Sequence, residues 1–203
     1  MIVIVDYGMG NLRSVQKALE VVGYAAEITS DPHQVARASH VILPGVGAFA
    51  DAAAELRSSG LGEAFIEAVR QGKPCLGICL GLQLLFESSL EDGEHEGLGL
   101  LPGQVVRFQA RPGLKIPHMG WNRLRILRPH PLLVGDVPDS PIEVYFVHSY
   151  YARPARESDV IAEVDYPDPV AAMVGRDNLV ACQFHPEKSQ RVGLAMYKAF
   201  ASL

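Results

Sequence analysis

Cysteine is scarce in this chain, at three of 203 residues. A small odd number of thiols does not make a disulfide framework, so a reducing, cytoplasmic setting is expected. Long hydrophobic runs are missing as well. The longest apolar stretches, such as residues 41–43 and 75–80, are far too short to cross a bilayer. No basic segment precedes the apolar start "MIVIVDYG", which turns polar at Asp6 and is expected to be a first strand rather than a secretion signal. Positive charge is in deficit. The net charge of −5 argues against nucleic acid or an anionic lipid surface as the main partner. There is no internal repeat, linker or low-complexity tract. With 48% hydrophobic and 20% charged residues, residues 1–203 are expected to form a single globular domain with a sizeable core.

What is present is an alternation of strands and helices. Residues 2–5 are an apolar run stopped by "DYGMGN". In "LRSVQKALEVVG" the residues Leu12, Val15, Leu19 and Val22 share one helical face before Gly23. Residues 26–29 read as a strand. "SDPHQVARA" opens a helix with Ser30 or Asp31 as cap and Pro32 in its first turn. Residues 40–43 form the next apolar strand, closed by "PGVG". "AFADAAAELRSSG" and "LGEAFIEAVRQG" read as helices, "KPCLGI" as a strand and "LGLQLLFESS" as a helix. Apolar strands alternating with helices imply an α/β fold with a mostly parallel central sheet covered on both faces.

From about residue 100 the pattern changes. "GQVVRF", "WNRLRIL", "IEVYFVHSYYA", "DVIAEVDY", "VAAMV" and "NLVACQF" are strand-like, with Pro, Gly and Asp turns between them. The final "SQRVGLAMYKAFASL" is helical, with Val192, Met196, Ala199 and Phe200 available to pack. An antiparallel extension of the parallel core is expected.

Three stretches could carry chemistry. Gly77-Ile78-Cys79-Leu80-Gly81 has the form of a nucleophile elbow, with the reactive residue on a strand-to-helix corner. A helix start there offers free N–H groups and a partial positive charge that favours thiolate over thiol. A buried cysteine in a glycine-rich turn fits the same five residues. In "ACQFHPEK", His185 and Glu187 are two apart, and in extended chain they point to one side. Glu187 would then hold one imidazole nitrogen and aim the other at a thiol, while Pro186 resists helix formation. "PGVG" at the end of a buried strand offers backbone N–H groups to a developing negative charge, with a second donor from Leu80. On its own it is equally an ordinary turn. Cys75 and Cys182 sit in apolar strands as core residues, and no thiol–imidazole cluster suggests a metal site. "DYGMGN" lacks the full spacing of a phosphate-cradling loop.

Together, "LPGVGAF", "GICLGLQLLFES" and "FHPEK" resemble the class I, triad-type glutamine amidotransferases. "DYGMGNLRSV", "PHMGWN" and "YFVHSYYA" narrow the resemblance to the glutaminase subunits of imidazole glycerol phosphate synthase, of histidine biosynthesis. It runs the length of the chain with no departure at a catalytic position. It implies a flavodoxin-like fold and hydrolysis of glutamine, with Cys79 as nucleophile, His185 as acid and base, and Glu187 as orienter. It also implies oxyanion donors at Val46 and Leu80, and a glutamine pocket lined by Gly47, Gln83, Glu91, His148, Ser149 and Tyr150. No metal or organic cofactor is implied. Ammonia would pass to a barrel-shaped cyclase subunit in a heterodimer, docked near Asn11, His118, Trp121, Tyr145 and Lys188. Two other readings stay open on the residues: a glutaminase serving pyridoxal phosphate, anthranilate or GMP synthesis, and a non-catalytic interaction module.

Overall fold

The computed structural model describes residues 1–133 and 141–203. The elements of the first half follow the expected alternation: β1 (Ile2–Val5), α1 (Leu12–Val21), β2 (Ala26–Thr29), α2 (Pro32–Arg37), β3 (His40–Gly45), α3 (Phe49–Ser58), α4 (Leu61–Arg70), β4 (Cys75–Cys79) and α5 (Leu80–Leu84). Asp31 is the residue that caps α2, its carboxylate accepting the His33 N–H at 2.9 Å, with Pro32 in the first turn. The second half contributes β5 (Phe86–Ser89), β6 (His95–Glu96), β7 (Leu101–Arg107), β8 (His118–Arg123), β9 (Arg125–Ile126), β10 (Glu143–His148), β11 (Tyr150–Pro154), β12 (Val160–Asp165), β13 (Pro169–Arg176), β14 (Leu179–Cys182) and α6 (Gln190–Ala201).

The main sheet has the order β2-β1-β3-β4-β14-β13-β12-β9. Its first five strands are parallel, in the flavodoxin-like order, and β13, β12 and β9 continue it antiparallel. Side chains of its strands alternate between two cores. Ile2, Ile4 and Ile42 pack with Val15 and Leu19 of α1 and Met196 and Phe200 of α6. Val3, Val5, Val41 and Leu43 pack with Val35, Phe49, Leu56 and Phe65 of α2, α3 and α4. Both faces are therefore covered, which is why β1 and residues 41–43 of β3 are apolar at every position. Among the described residues no helix is long and apolar enough to cross a membrane.

Two expectations are corrected. "LGLQLLFESS" is not one helix: α5 stops at Leu84 and β5 follows. The carbonyls that would continue the helix are taken by an incoming segment. Leu98 N–H donates to Leu84 at 2.7 Å, Leu100 N–H to Leu85 at 2.9 Å, and Gly97 N–H to Glu87 at 3.0 Å. "IEVYFVHSYYA" is likewise not one strand. It breaks at Ser149 into β10, which pairs with β8, and β11, which joins the separate sheet β11-β7-β5-β6. The second half thus adds two small sheets as well as extending the main one.

Candidate active site

Cys79 ends β4 and begins the turn into α5 with φ 55° and ψ −109°. A non-glycine residue in that region is strained, and such strain persists only where the surroundings impose it. The flanking glycines are what permit it. A Cβ on Gly81 would overlap the Leu43 carbonyl oxygen, and one on Gly77 would sit 3.0 Å from Ala181 Cβ. Helix and neighbouring strands close in on the corner, leaving Cys79 6% exposed. Leu80 is the first residue of α5, where backbone N–H groups lack an intrahelical acceptor.

His185 and Glu187 meet, though not by extended alternation. His185 itself is extended, but residues 186–188 curl into a 3₁₀ turn that Pro186 opens instead of preventing. The turn brings Glu187 Oε1 to 2.7 Å from His185 Nδ1, with both side chains 2% exposed. β10 holds the turn from the other side. His185 N–H donates to the Tyr145 carbonyl at 2.9 Å, and Tyr145 N–H donates to Ser189 Oγ at 3.0 Å. Burial alone would lower the imidazolium. Hydrogen bonding and charge from Cys79 and Glu187 outweigh it and raise His185 to about 10. The remaining ring nitrogen, Nε2, is buried and has no hydrogen-bond partner of normal geometry among the described residues.

A cavity of about 420 Å³ opens over these groups. Cys79, His185, Val46, Leu80, Gly47, Gln83, Glu91, His148, Ser149 and Tyr150 all line it. Glu187 lies behind His185. Gly47 has φ +113°, and a Cβ there would come within 2.6 Å of Met9 Cε, so the loop after β1 backs the "PGVG" turn. The Glu91 carboxylate accepts the Phe49 N–H at 2.8 Å, which fixes one of its oxygens at the start of α3. Burial first, and the neighbouring His118 and His185, hold His148 neutral, lowered to about 3 against the hydrogen bond with the Tyr150 carbonyl.

One residue of this site escaped the sequence reading. Gln183 is fully buried, and its Nε2 lies 3.8 Å from Cys79 Sγ while its Oε1 accepts from Gln83 Nε2 at 3.2 Å. The signal was an amide inside the apolar run "LVACQF", because a buried polar group requires partners. Gln83 also donates to the Tyr150 carbonyl at 3.0 Å, so two glutamines join Cys79 to the start of β11. Trp121 and Tyr145 are cross-strand neighbours packed edge to face at 6.0 Å, and Lys188 Nζ lies 5.9 Å over the Tyr145 ring. Trp121 is 47% exposed. Asn11 is half-buried at the start of α1, its Oδ1 accepting from Ser14 Oγ at 2.8 Å. His118 departs from its expected surface position: it is 2% exposed, stacked between Phe146 and Tyr166. Among the described residues no group of His, Cys, Asp or Glu is placed to hold a metal ion.

The family model for class I glutamine amidotransferases matches residues 3–201. The chain belongs to the class I glutamine amidotransferases. Within that family it is 54% identical to an imidazole glycerol phosphate synthase subunit HisH of Syntrophotalea carbinolica, over the whole of both chains. The HisH subunit of Geobacter metallireducens is 51% identical, covering 98% of this chain and 97% of its own. Similar solved structures include a glutamine amidotransferase (TM-score 0.76, 19% identity, all of both chains). PurLQS of Thermotoga maritima is similarly close in fold (TM-score 0.77, 19% identity, 99% of this chain and 97% of that one). At those identities the structures speak to the fold alone. This amidotransferase is a glutaminase of the HisH group, acting in histidine biosynthesis.

Proposed function

We propose that residues 1–203 act in the cytoplasm as a single glutaminase domain that feeds a barrel-shaped cyclase subunit. Cys79, His185 and Glu187 would make the ammonia. The observation that carries this reading is the strained Cys79 corner sharing one cavity with a buried, carboxylate-held His185. The thiolate of Cys79 attacks the side-chain carbonyl carbon of glutamine. Negative charge develops on the carbonyl oxygen, and the N–H groups of Val46 and Leu80 stabilise it. His185, raised to about 10, already carries the proton that the departing nitrogen needs. The C–N bond breaks, ammonia leaves and a glutamyl thioester remains. Neutral His185 then takes a proton from water, whose oxygen attacks the thioester. The C–S bond breaks, releasing glutamate and restoring both groups.

Gly47, Gln83, Glu91, His148, Ser149 and Tyr150 would hold the glutamine. An amino acid presents an ammonium and a carboxylate, and the acid Glu91 and the donors near Ser149 suit those two ends. The partner surface would include Asn11, Trp121, Tyr145 and Lys188. Lys188 also lines the cavity, so a partner seated on Trp121 and Tyr145 lies at the point where ammonia leaves. The heterodimer would convert a phosphoribulosyl-formimino-AICAR nucleotide and glutamine into imidazole glycerol phosphate, AICAR nucleotide and glutamate. The test is Cys79→Ala in that complex. Glutamine-dependent synthesis is expected to vanish while ammonia-dependent synthesis stays near wild type. Glutamate release from the variant at a wild-type rate would remove Cys79 from the nucleophile's role.

A further inference from the structure

Among the described residues, two buried polar atoms behind His185 make no hydrogen bond of normal geometry: Glu187 Oε2 and the hydroxyl of Tyr197. Tyr197 belongs to α6, is fully buried, and touches neither the cavity nor solvent. α6 runs tightly over the turn at 186–188. A Cβ on Gly193 would overlap the Pro186 carbonyl oxygen, and Gly193 N–H donates to the Ser189 carbonyl at 3.3 Å. Tyr197 stands four residues after Gly193, one turn on along the same helix face. The Tyr197 phenol therefore lies on the helix face that packs over this turn, within reach of the Glu187 charge.

We propose that Tyr197 is a positioning residue: its hydroxyl donates to Glu187 Oε2 and, with His185 on Oε1, fixes the plane of the carboxylate. This rests on the triad reading given above. Leaving both atoms unpaired in a dry interior is costly, and a hydrogen bond between them removes both deficits at once. The direction of donation follows from the chemistry. Burial, then the nearby charges of Glu187 and Cys182, keep the phenol protonated far above its ordinary range, so it has a hydrogen to give and Glu187 accepts. Nothing in the reaction draws on Tyr197 directly. It acts by holding the orienting carboxylate in line with the imidazole, so that Nε2 stays aimed at Cys79.

The experiment is Tyr197→Phe in the full chain bound to its cyclase, alone and combined with Glu187→Gln. The Phe variant should lower kcat for glutamine about tenfold, the factor one hydrogen bond is worth. KM for glutamine should hold, because Tyr197 does not line the cavity. In the Glu187→Gln background the same change should add little further loss. Wild-type kcat in Tyr197→Phe, or an equal fold-loss in both backgrounds, would overturn the proposal and leave Tyr197 a packing residue. Tyr197→Met, which fills space without a hydroxyl, carries the same comparison if the Phe variant fails to fold. Cys79→Ala run alongside separates the two levels. Retained glutaminase activity there sinks the triad itself, whatever Tyr197→Phe does.

Discussion

His118 Nδ1 and His148 Nε2 lie 3.1 Å apart in the interior between β8 and β10. The tautomers follow from what flanks the pair. His148 Nδ1 faces the Tyr150 carbonyl at 2.8 Å and must donate to it. Its Nε2 therefore accepts from His118 Nδ1–H, and His118 Nε2 accepts from the Asn122 amide at 3.3 Å. Every position is filled with both rings neutral. A proton added to His148 would set two N–H groups head to head.

That arrangement predicts acid sensitivity. Burial lowers His118 to about 4, and burial with nearby positive charge lowers His148 to about 3. Both lie below the ~6.5 of an unfolded histidine. The unfolded chain then binds more protons in between, so the stability these rings contribute is present above about pH 6.5 and lost as pH falls toward 3–4. His185, raised to about 10, works in the opposite sense: its contribution is fully present below about pH 6.5 and is lost as pH rises toward 10, and it is common to both proteins compared. Each histidine contributes up to ~1.4 kcal/mol per pH unit. Urea unfolding of wild type and His118→Asn between pH 7 and 4 should show the shallower loss in the variant. Parallel curves would show that His118 is not held neutral.

The two members of the His185–Glu187 pair should differ in weight. His185→Ala removes the group proposed to move both protons, a role worth ~10²–10⁴-fold. Glu187→Gln leaves the imidazole present but weakens its orientation and tautomer. Single-turnover thioester formation should therefore be slower in His185→Ala. Equal rates in the two variants contradict this ranking.

Gly47 is expected to be irreplaceable for activation. Its φ of +113° is one that side chains rarely adopt, and a Cβ there would press on Met9 Cε. Gly47 follows Val46, the proposed oxyanion donor, and gives the turn its freedom on that side, while Gly45 in β3 is held closely by Tyr7 and Leu80. If this turn is a gate through which nucleotide on the proposed cyclase partner speeds glutamine turnover, Gly47→Val should hold the turn in one orientation and flatten that response. If it holds the N–H away, glutamine turnover falls ~10²–10³-fold, the worth of one oxyanion donor. Comparing rates with and without that nucleotide checks it; full stimulation in the variant rules out a gate at this turn.

Trp121, half in solvent on β8, is expected to anchor the partner. Trp121→Ala should weaken assembly by ~2 kcal/mol or more, as aromatic anchors do. The isolated chain should unfold at nearly its original midpoint, because only one face of the indole packs, against Tyr145. A binding titration with the cyclase and a melt of the free variant measure the two effects. A steep drop in the melt makes Trp121 a core residue instead.

The alternation of the first four parallel strands with their helices, and the corner at Cys79, were legible in the chain. Both are local matters. Apolar runs of a few residues alternate with helices of 3.6 period, and Gly77 and Gly81 bracket Cys79 within five residues. The family stretches around Cys79, His185 and Val46 were legible for the same reason, each being short and contiguous.

Tertiary structure decided the rest, wherever long-range hydrogen bonds overruled local preference. α5 reads as a longer helix, but residues 97–100 occupy the carbonyls it needed. "IEVYFVHSYYA" reads as one strand, but its two ends find partners in different sheets. His118 carries the look of a loop residue and is buried because β8 pairs with β10 and turns it onto Phe146. Gln183 acquires its place only when β14 is laid beside β4, 104 residues away in sequence from Cys79. Side-chain alternation within a strand is written in the chain. Which strand lies next to it is settled by burial across the whole core, and that is a property of the folded molecule.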